Sequence, residues 1–346
     1  MNGWLTRFAR RWWAGEYGLW GSALALALTP FSGIWRAVTA LRNRRWDRRG
    51  GMELEGVAVV SVGNLAVGGT GKTPIAAWVA RALADGGAQP SLLLSGYGAD
   101  EVLLHRSWND DIPVLADPDR VSGAQRAERE GATVVVVDDG FQHRRLARDL
   151  DLVLLAVEDH FPGRVLPCGP YREPAAALSR ADGVVLTRRS ASEGEARALE
   201  QKVGGVPSVG KDRVLGCVHL LADRLEELVD PSVPLSGPLE QPLALTAIAR
   251  PEAFRHDVAR LAAGSVDLLA FADHHPFTED DAHTARRRAE GRPIVVTEKD
   301  AVKLRAFADV LGETWVLRQR LVWDWGEEAV RERIARVGVT VRDRAL

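Results

Sequence analysis

The feature that most limits what this chain can become is a strand, a glycine loop and a helix in immediate succession. Gly56–Leu65 (GVAVVSVGNL) is a short β-branched apolar run, AVGGTGKTP follows it, and IAAWVARALADGG then carries a helical pattern. Glycines let the backbone approach an anion closely, and the amides that open a helix sit at its positive dipole end, so a loop in this setting cradles phosphates. Ala66, Val67, Gly68, Gly69, Thr70, Gly71, Lys72 and Thr73 form that loop. Lys72 is placed to meet β- and γ-phosphates and Thr73 to meet Mg²⁺, so ATP and Mg²⁺ are the implied cofactors. The strict pattern has glycine where Ala66 stands, but the GKT core is intact and Lys72 is the only lysine before Lys202.

Further strand signals at Ser91–Ser95, Thr133–Val137, Leu152–Ala156 and Val184–Thr187 are separated by helix-compatible stretches. That alternation predicts a P-loop NTPase-like, doubly wound parallel sheet of the α/β class, whose ligands gather at the carboxyl ends of the strands. TVVVVDDGFQH ends one strand in Asp138 and Asp139, where a carboxylate can hold Mg²⁺ or its water shell; alone, such a pair serves equally as a helix cap. After Gly204–Lys211, strand signals at Val214–Leu220, Leu243–Ile248, Ile294–Thr297 and Trp315–Leu317, with helices around Pro251–Ala263 and Glu279–Glu290, predict a smaller α/β domain. The expected division is therefore 1–50, an N-terminal segment; 51–210, the P-loop domain; and 211–346, the C-terminal domain.

At 346 residues and 46% hydrophobic content the chain can bury two cores. A net charge of −2 argues against wholesale nucleic-acid binding, and no obligate protein partner is evident. The total conceals a split, because Met1–Gly50 holds nine Arg against Glu16 and Asp47, leaving 36 of the 45 basic residues and 45 of the 47 acidic ones to the remainder. Six of the eleven Trp share that first segment. Indoles and guanidinium groups together favour an anionic lipid headgroup boundary. Tyr17–Trp35 is uncharged and long enough to be considered as a span, yet Pro30 cuts it, Gly18, Gly21 and Gly33 dilute it, and Arg clusters flank both ends. An interfacial, monotopic hairpin or helix is the expectation; a transmembrane helix and an Arg-rich helix packed on the body are the alternatives. With only Cys168 and Cys217 there is no disulfide framework and no zinc spacing, which suits a reducing compartment.

Six blocks carry a more specific resemblance: SVGNLAVGGTGKTP (Ser61–Pro74), LSGYGADE (Leu94–Glu101), VVVDDGFQHRRLARDLDLVLL (Val135–Leu155), LPCGPYREP (Leu166–Pro174), FADHHPFTEDD (Phe271–Asp281) and VTEKDAVKL (Val296–Leu304). In this order they resemble the tetraacyldisaccharide 4'-kinases of lipid A assembly, whose membrane-associating N-terminus the Arg/Trp-rich leader also resembles. The resemblance implies transfer of the ATP γ-phosphate to the 4'-hydroxyl of a tetraacylated glucosamine disaccharide 1-phosphate, a lipid-linked substrate. The reaction is expected at the cytoplasmic face of a Gram-negative inner membrane, with the protein peripheral or monotopic on that anionic surface. It also implies Asp100 as catalytic base, His274 as the histidine supporting it, and Glu101 as an acidic neighbour joining Thr73, Asp138 and Asp139 as candidate Mg²⁺ ligands. Gln142 and His143 belong to the implied nucleotide-site block. Ser95 stands where the family commonly has Arg before GYG, and Ala247 and Ala249 stand where it favours glycine.

Phosphoryl transfer leaves the protein little covalent chemistry, so alignment and charge neutralisation by Lys72, the loop amides and Mg²⁺ are the expected means. Asp100 is expected on the first domain and His274 on a loop of the second, Phe271–Phe277, facing the P-loop so that closure assembles the site. Asp100 serves equally as a turn residue, and His275 reads as a solvent-exposed loop histidine. Arg172 and Glu173 either contact a phosphate or are simply solvated, and Asp273 with His274 lacks a third ligand for zinc. Two rival functions stand beside the kinase: another P-loop ligase or GTPase, disfavoured by the absence of an NKxD motif, and a membrane-tethered nucleotide sensor with no turnover.

Overall fold

The computed structural model describes residues 8–344 apart from 10, 14, 97, 98 and 208, with backbone only for 99, 211 and 338–344. Two compact units emerge: Met1–Tyr97 with His105–His219 and Val322–Leu346, and Gly98–Leu104 with Leu220–Leu321. This division differs from the expected one in three places. The N-terminal segment belongs to the first unit, the C-terminal helix returns to it, and the short stretch carrying Asp100 joins the second.

The first unit opens with α1 (Gly18–Arg49), a single helix that continues through Pro30. Then follow β1 (Ala58–Asn64), α2 (Lys72–Asp85), β2 (Pro90–Leu94), α3 (Ala99–Trp108), β3 (Val114–Ala116), α4 (Arg120–Arg129), β4 (Val134–Asp138), β5 (Leu150–Ala156), β6 (Gly183–Arg188), α5 (Glu193–Gly204) and the start of β7 (Val214–Glu227). Its strands lie in the order β3-β2-β4-β1-β5-β6-β7, with every pair parallel. Strands buried on both faces lose the polar alternation of a half-exposed sheet, which is why β1, β2, β4 and β5 read as continuous apolar runs. On one face Val59, Leu93, Val135 and Val137 pack with Val121, Ala124 and Ala127 of α4. Asp119 caps α4 by accepting from the Val121 and Ser122 amides. β1 sits between β4 and β5, where the direction of chain progression reverses, and the glycine loop leaves β1 at that switch point.

The second unit contains the remainder of β7, β8 (Leu239–Glu240), β9 (Leu243–Thr246), α6 (Pro251–Ala259), β10 (Ala262–Ala263), β11 (Asp267–Ala270), α7 (Glu279–Ala289), β12 (Ile294–Thr297), α8 (Glu298–Leu304), α9 (Ala308–Leu311) and the start of β13 (Thr314–Trp325). Here the order is β11-β9-β12-β13, again all parallel, and β8 pairs with β10. Leu243, Leu245, Ile294 and Val296 pack against Ala282, Ala285 and Ala289 of α7. Thr278 and Asp281 form a reciprocal capping box at the start of α7. The chain leaves the first unit along β7 and returns along β13 to α10 (Glu327–Arg344).

Candidate functional site

In the first unit the loop after β1 takes the backbone conformations its glycines permit: Gly68 has φ 136° and Gly71 φ 83°. Its frame is fixed by hydrogen bonds from Asn64 Nδ2 to Thr70 Oγ1 (2.8 Å), Thr187 Oγ1 to the Thr70 carbonyl (2.9 Å) and the Val67 amide to the Pro170 carbonyl (2.8 Å). Gln142 Nε2 donates to the Asn64 carbonyl at 2.8 Å, and Arg189 to the Gly69 carbonyl at 3.1 Å. α2 starts at Lys72 immediately after the Gly71 cap, so its first amides open at the loop. Pro74 is tolerated there because first-turn amides have no helical acceptor.

β4 delivers the two acids beside this loop, with Asp138 in register with Val62 of β1. The approach is tight: a Cβ on Gly63 would lie 2.5 Å from Phe141 Cβ, and one on Gly140 2.5 Å from Ser61 Oγ. Lys72 Nζ stands 3.8 Å from Asp139 Oδ1, and the Arg172 guanidinium donates to both Asp139 oxygens at 2.9 and 3.0 Å and to Gln142 Oε1 at 3.0 Å. Burial alone would raise the Asp139 carboxyl's pKa, but Lys72 and Arg172 outweigh it and hold the group below its usual range. Asp139 itself has φ 56°, an uncommon conformation for a residue with a side chain, found where surrounding structure over-determines it. Asp138 is 5% exposed and its Oδ2 lies 3.3 Å from Nε2 of the wholly buried His105, on α3.

In the second unit Asp100 occupies the first turn of α3 and is only 4% exposed. His274, with φ 61°, is held by its amide to the Ala247 carbonyl at 3.1 Å and sets Nδ1 at 3.2 and 3.1 Å from the two Asp100 oxygens. Lys303 Nζ is 3.5 Å and Lys299 Nζ 3.8 Å from Asp100 Oδ2. Both lysines project from α8, whose start is anchored by the fully buried Asp300. That carboxylate accepts from Thr246 Oγ1 (2.7 Å), Thr297 Oγ1 (2.8 Å) and the Ala247 amide (3.0 Å), and pairs with Lys303 at 3.2 Å. Burial pushes the Asp100 carboxyl up, yet the His274 hydrogen bond and the two ammonium groups lower it to about 2. His274 is raised by its bond to Asp100, against burial and the Lys299 charge.

The sequence profile of the Tetraacyldisaccharide-1-P 4'-kinase family matches residues 24–102 and 98–338. The chain belongs to the tetraacyldisaccharide 4'-kinase family. A member from Anaeromyxobacter sp. (strain Fw109-5) is 39% identical over 85% of this chain and 86% of its own. One from Syntrophobacter fumaroxidans is 36% identical over 95% of this chain and 91% of its own. The crystal structure of an "apo" form of LpxK from Aquifex aeolicus in complex with ATP aligns with a TM-score of 0.69 at 25% identity, covering 91% of this chain and 99% of that one. Membership makes this chain a kinase of lipid A assembly.

Several side chains of this 4'-kinase differ in setting from their expected one. Asp100 and His274 belong to the same unit rather than to different domains, because the first turn of α3 packs with the residues around β9 and α8. Glu101 also lies there, 3.9 Å from Lys299 Nζ, whereas Thr73, Asp138 and Asp139 belong to the first unit. His275 is not a free loop histidine: its Nε2 is 2.8 Å from Asp281 and its ring stacks on Phe271 at 4.8 Å. Glu173 is completely buried, paired with the guanidinium groups of Arg180 and Arg42 and hydrogen-bonded by the Asn43 amide, so neither a phosphate contact nor solvation describes it. Gln142 spends both ends of its amide on loop architecture, and His143 keeps much of its surface in solvent, while the part of its ring that is desolvated and the Arg120 charge lower its pKa. His105, Lys299 and Lys303 escaped sequence reasoning. Lys299 and Lys303 at i and i+4 in VTEKDAVKL were the available signal, since that spacing stacks two cations on one helix face.

Proposed function

We propose that this 4'-kinase holds the triphosphate of ATP on the Gly68–Thr73 loop and transfers the γ-phosphate to the 4'-hydroxyl of a tetraacyldisaccharide 1-phosphate. The observation that carries the reading is Lys72 standing 3.8 Å from Asp139 at the mouth of the glycine loop, an ammonium and an acid set where phosphates and their counter-ion meet. Thr73, Asp138 and Asp139 would hold Mg²⁺. Their donors are all oxygens, which suits a hard cation. Among the described residues no three or more His, Cys, Asp or Glu are grouped to hold a metal unaided, and Mg²⁺ ordinarily completes its shell with water and substrate phosphates. When bound, the ion neutralises charge on the phosphate oxygens.

Asp100 supplies the remaining function. A carboxyl lowered to about 2 is ionised throughout the physiological range and accepts a hydrogen bond from the sugar hydroxyl, aligning it. So weak a base takes the proton late, which is adequate because phosphoryl transfer through a loose transition state demands little nucleophile activation. His274 Nδ1 fixes the carboxylate's orientation.

The acceptor is lipid, and α1 is built to meet lipid. Leu19, Trp20, Leu26, Ile34, Val38 and Leu41 are exposed. The opposite stripe is tied to the body: Ser32 Oγ donates to the Val165 carbonyl at 3.2 Å, Trp35 Nε1 to the Arg172 carbonyl at 2.8 Å, and Asn43 Nδ2 to Glu173 at 2.5 Å. By length and composition this helix can cross a membrane, but side-chain bonds to the protein from Ser32 to Asn43 leave one face available to lipid, so it lies in the interface. Beside it runs a groove of about 860 Å³ whose lining includes Leu26, Val165 and Ala175 together with Arg36 and Arg164. Apolar walls with two guanidinium groups suit an acyl chain attached to an anionic headgroup, and the acceptor's chain is the occupant we assign.

The test is transfer of labelled γ-phosphate from ATP to the disaccharide lipid in mixed micelles. Lys72→Ala and Asp100→Ala each lose at least about a hundredfold in kcat while remaining folded. Full activity in either variant removes that residue from the mechanism, and ATP consumption without acceptor phosphorylation sinks the kinase reading.

A further inference from the structure

In the second unit a further close contact flanks the Asp100–His274 pair. Lys299 Nζ lies 3.1 Å from His274 Nε2, on the edge of the ring opposite the Nδ1 that meets Asp100 at 3.1 and 3.2 Å. An ammonium has only protons to give. At hydrogen-bond distance from it, Nε2 must present its lone pair, and the ring proton is then on Nδ1, donated to Asp100.

We propose that Lys299 is a positioning residue that fixes His274 as the neutral, Nδ1-protonated tautomer, so that the imidazole orients Asp100 as a donor without becoming a cation. The inference rests on Asp100 being the group that receives the sugar hydroxyl. Its physical need is clear from the charges around the pair. Asp273 Oδ1 is 3.9 Å from His274 Nε2, and Asp100 lies on the ring's other side; both draw a second proton onto the imidazole. Lys299 opposes them, while Lys303 acts one step away through Asp100.

The ammonium is itself held in place by Asp100, Asp273 and Glu101 at 3.8, 3.8 and 3.9 Å, and its helix is anchored at Thr297 and Asp300. An imidazolium would point an N–H at that ammonium, a like-charge contact at 3.1 Å that the site could relieve only by moving Lys299 away. A ring kept neutral leaves Asp100 with more proton affinity than one paired to an imidazolium.

The measurement is the protonation of the His274 ring in full-length protein carrying ¹⁵N-labelled histidine, in detergent micelles near pH 7.5, with its signals assigned against His274→Gln. Wild type should show a protonated Nδ1 and a bare Nε2. Lys299→Met should protonate both nitrogens at that pH and move the acid limb of the kcat profile upward by about one pH unit, with the KM for ATP unchanged. Lys299→Arg, which keeps a donor, should retain the wild-type ring state. A wild-type ring already doubly protonated, or protonated on Nε2, overturns the proposal without any variant. An unchanged ring state in Lys299→Met overturns it whatever happens to activity. Activity surviving in Asp100→Ala instead defeats the base assignment, leaving the tautomer measurement to stand separately.

Discussion

Asp100 shows how a single carboxylate links stability to chemistry. Its folded-state pKa of about 2 lies below the ordinary 3.8. The contact therefore stabilises the fold fully above the unfolded value and loses that contribution as pH falls from about 4 towards 2. The difference is worth about 2 kcal/mol at neutral pH. Urea unfolding should find Asp100→Asn less stable than wild type at pH 6, with the gap closing by pH 2; a gap independent of pH contradicts the ion-paired setting. Seen from His274, whose pKa is raised, the extra stability that the ring's charge adds to this contact is fully present below the ring's unfolded value and is lost as pH rises through the folded one, leaving the hydrogen bond from the neutral ring's Nδ1. Arg172 gives a second residue-scale prediction. Because it grips Asp139 and Gln142 together, Arg172→Ala should leave Asp139 with Lys72 as its neighbouring cation and reduce kcat about tenfold to a hundredfold, measured at saturating ATP. Lys72 was legible in the sequence because a glycine loop between strand and helix announces it. His105 was not, because a lone histidine in a helix carries no mark of the acid it will meet 33 positions later.

At the scale of elements, most of the longer parallel strands were visible as apolar runs, since burial on both faces removes their polar positions, whereas β11, four half-buried residues opened by Asp267, and the two-residue β8 and β10 were not. In the visible strands, what escaped was length. β7 runs on to Glu227 and β13 to Trp325 through charged stretches, LADRLEE and RQRLVWDW. Those charges find partners across a long sequence gap: Arg318 meets Glu226 at 2.6 Å and Arg320 meets Asp223 at 3.0 Å. No local pattern announces such pairs. β3 escaped because three residues, Val114–Ala116, are too short to form a period. The turn after β4 is the element on which the nucleotide site depends, and two glycines in different segments make it possible. Gly63→Ala would force a Cβ to within 2.5 Å of Phe141 Cβ and 2.7 Å of the Phe141 amide, so backbone must move. We expect a loss of about 1–3 kcal/mol and a raised KM for ATP, because Asp139 is displaced from Lys72. Wild-type affinity for ATP in a folded Gly63→Ala protein would show that the turn does not set the site.

For the molecule as a whole, composition is what suggests the N-terminal segment as the proposed meeting place for lipid, and it does not disclose that the segment forms one helix through Pro30 with a face committed to the protein. That commitment decides how its membrane role can be tested. Deleting the first fifty residues would strip Arg42 and Asn43 from the buried Glu173 and confuse lost binding with lost structure. A variant confined to the outward face, Leu19, Trp20, Leu26 and Ile34 all changed to Gln, removes apolar surface that is already exposed and leaves Ser32, Trp35 and Asn43 on their partners. Thermal unfolding of this protein should match wild type, since water-exposed side chains contribute little to the folded state. Flotation with liposomes containing anionic lipid should fall at least about fivefold, and kcat on vesicle-embedded acceptor should fall with it. Leu26 also lines the groove, so Ala175→Trp, a lining position outside α1, separates the two roles: it should raise the KM for lipid acceptor while flotation and the KM for ATP stay unchanged. If the four-fold variant floats as wild type does, the outward face of α1 is not what holds this kinase at the bilayer.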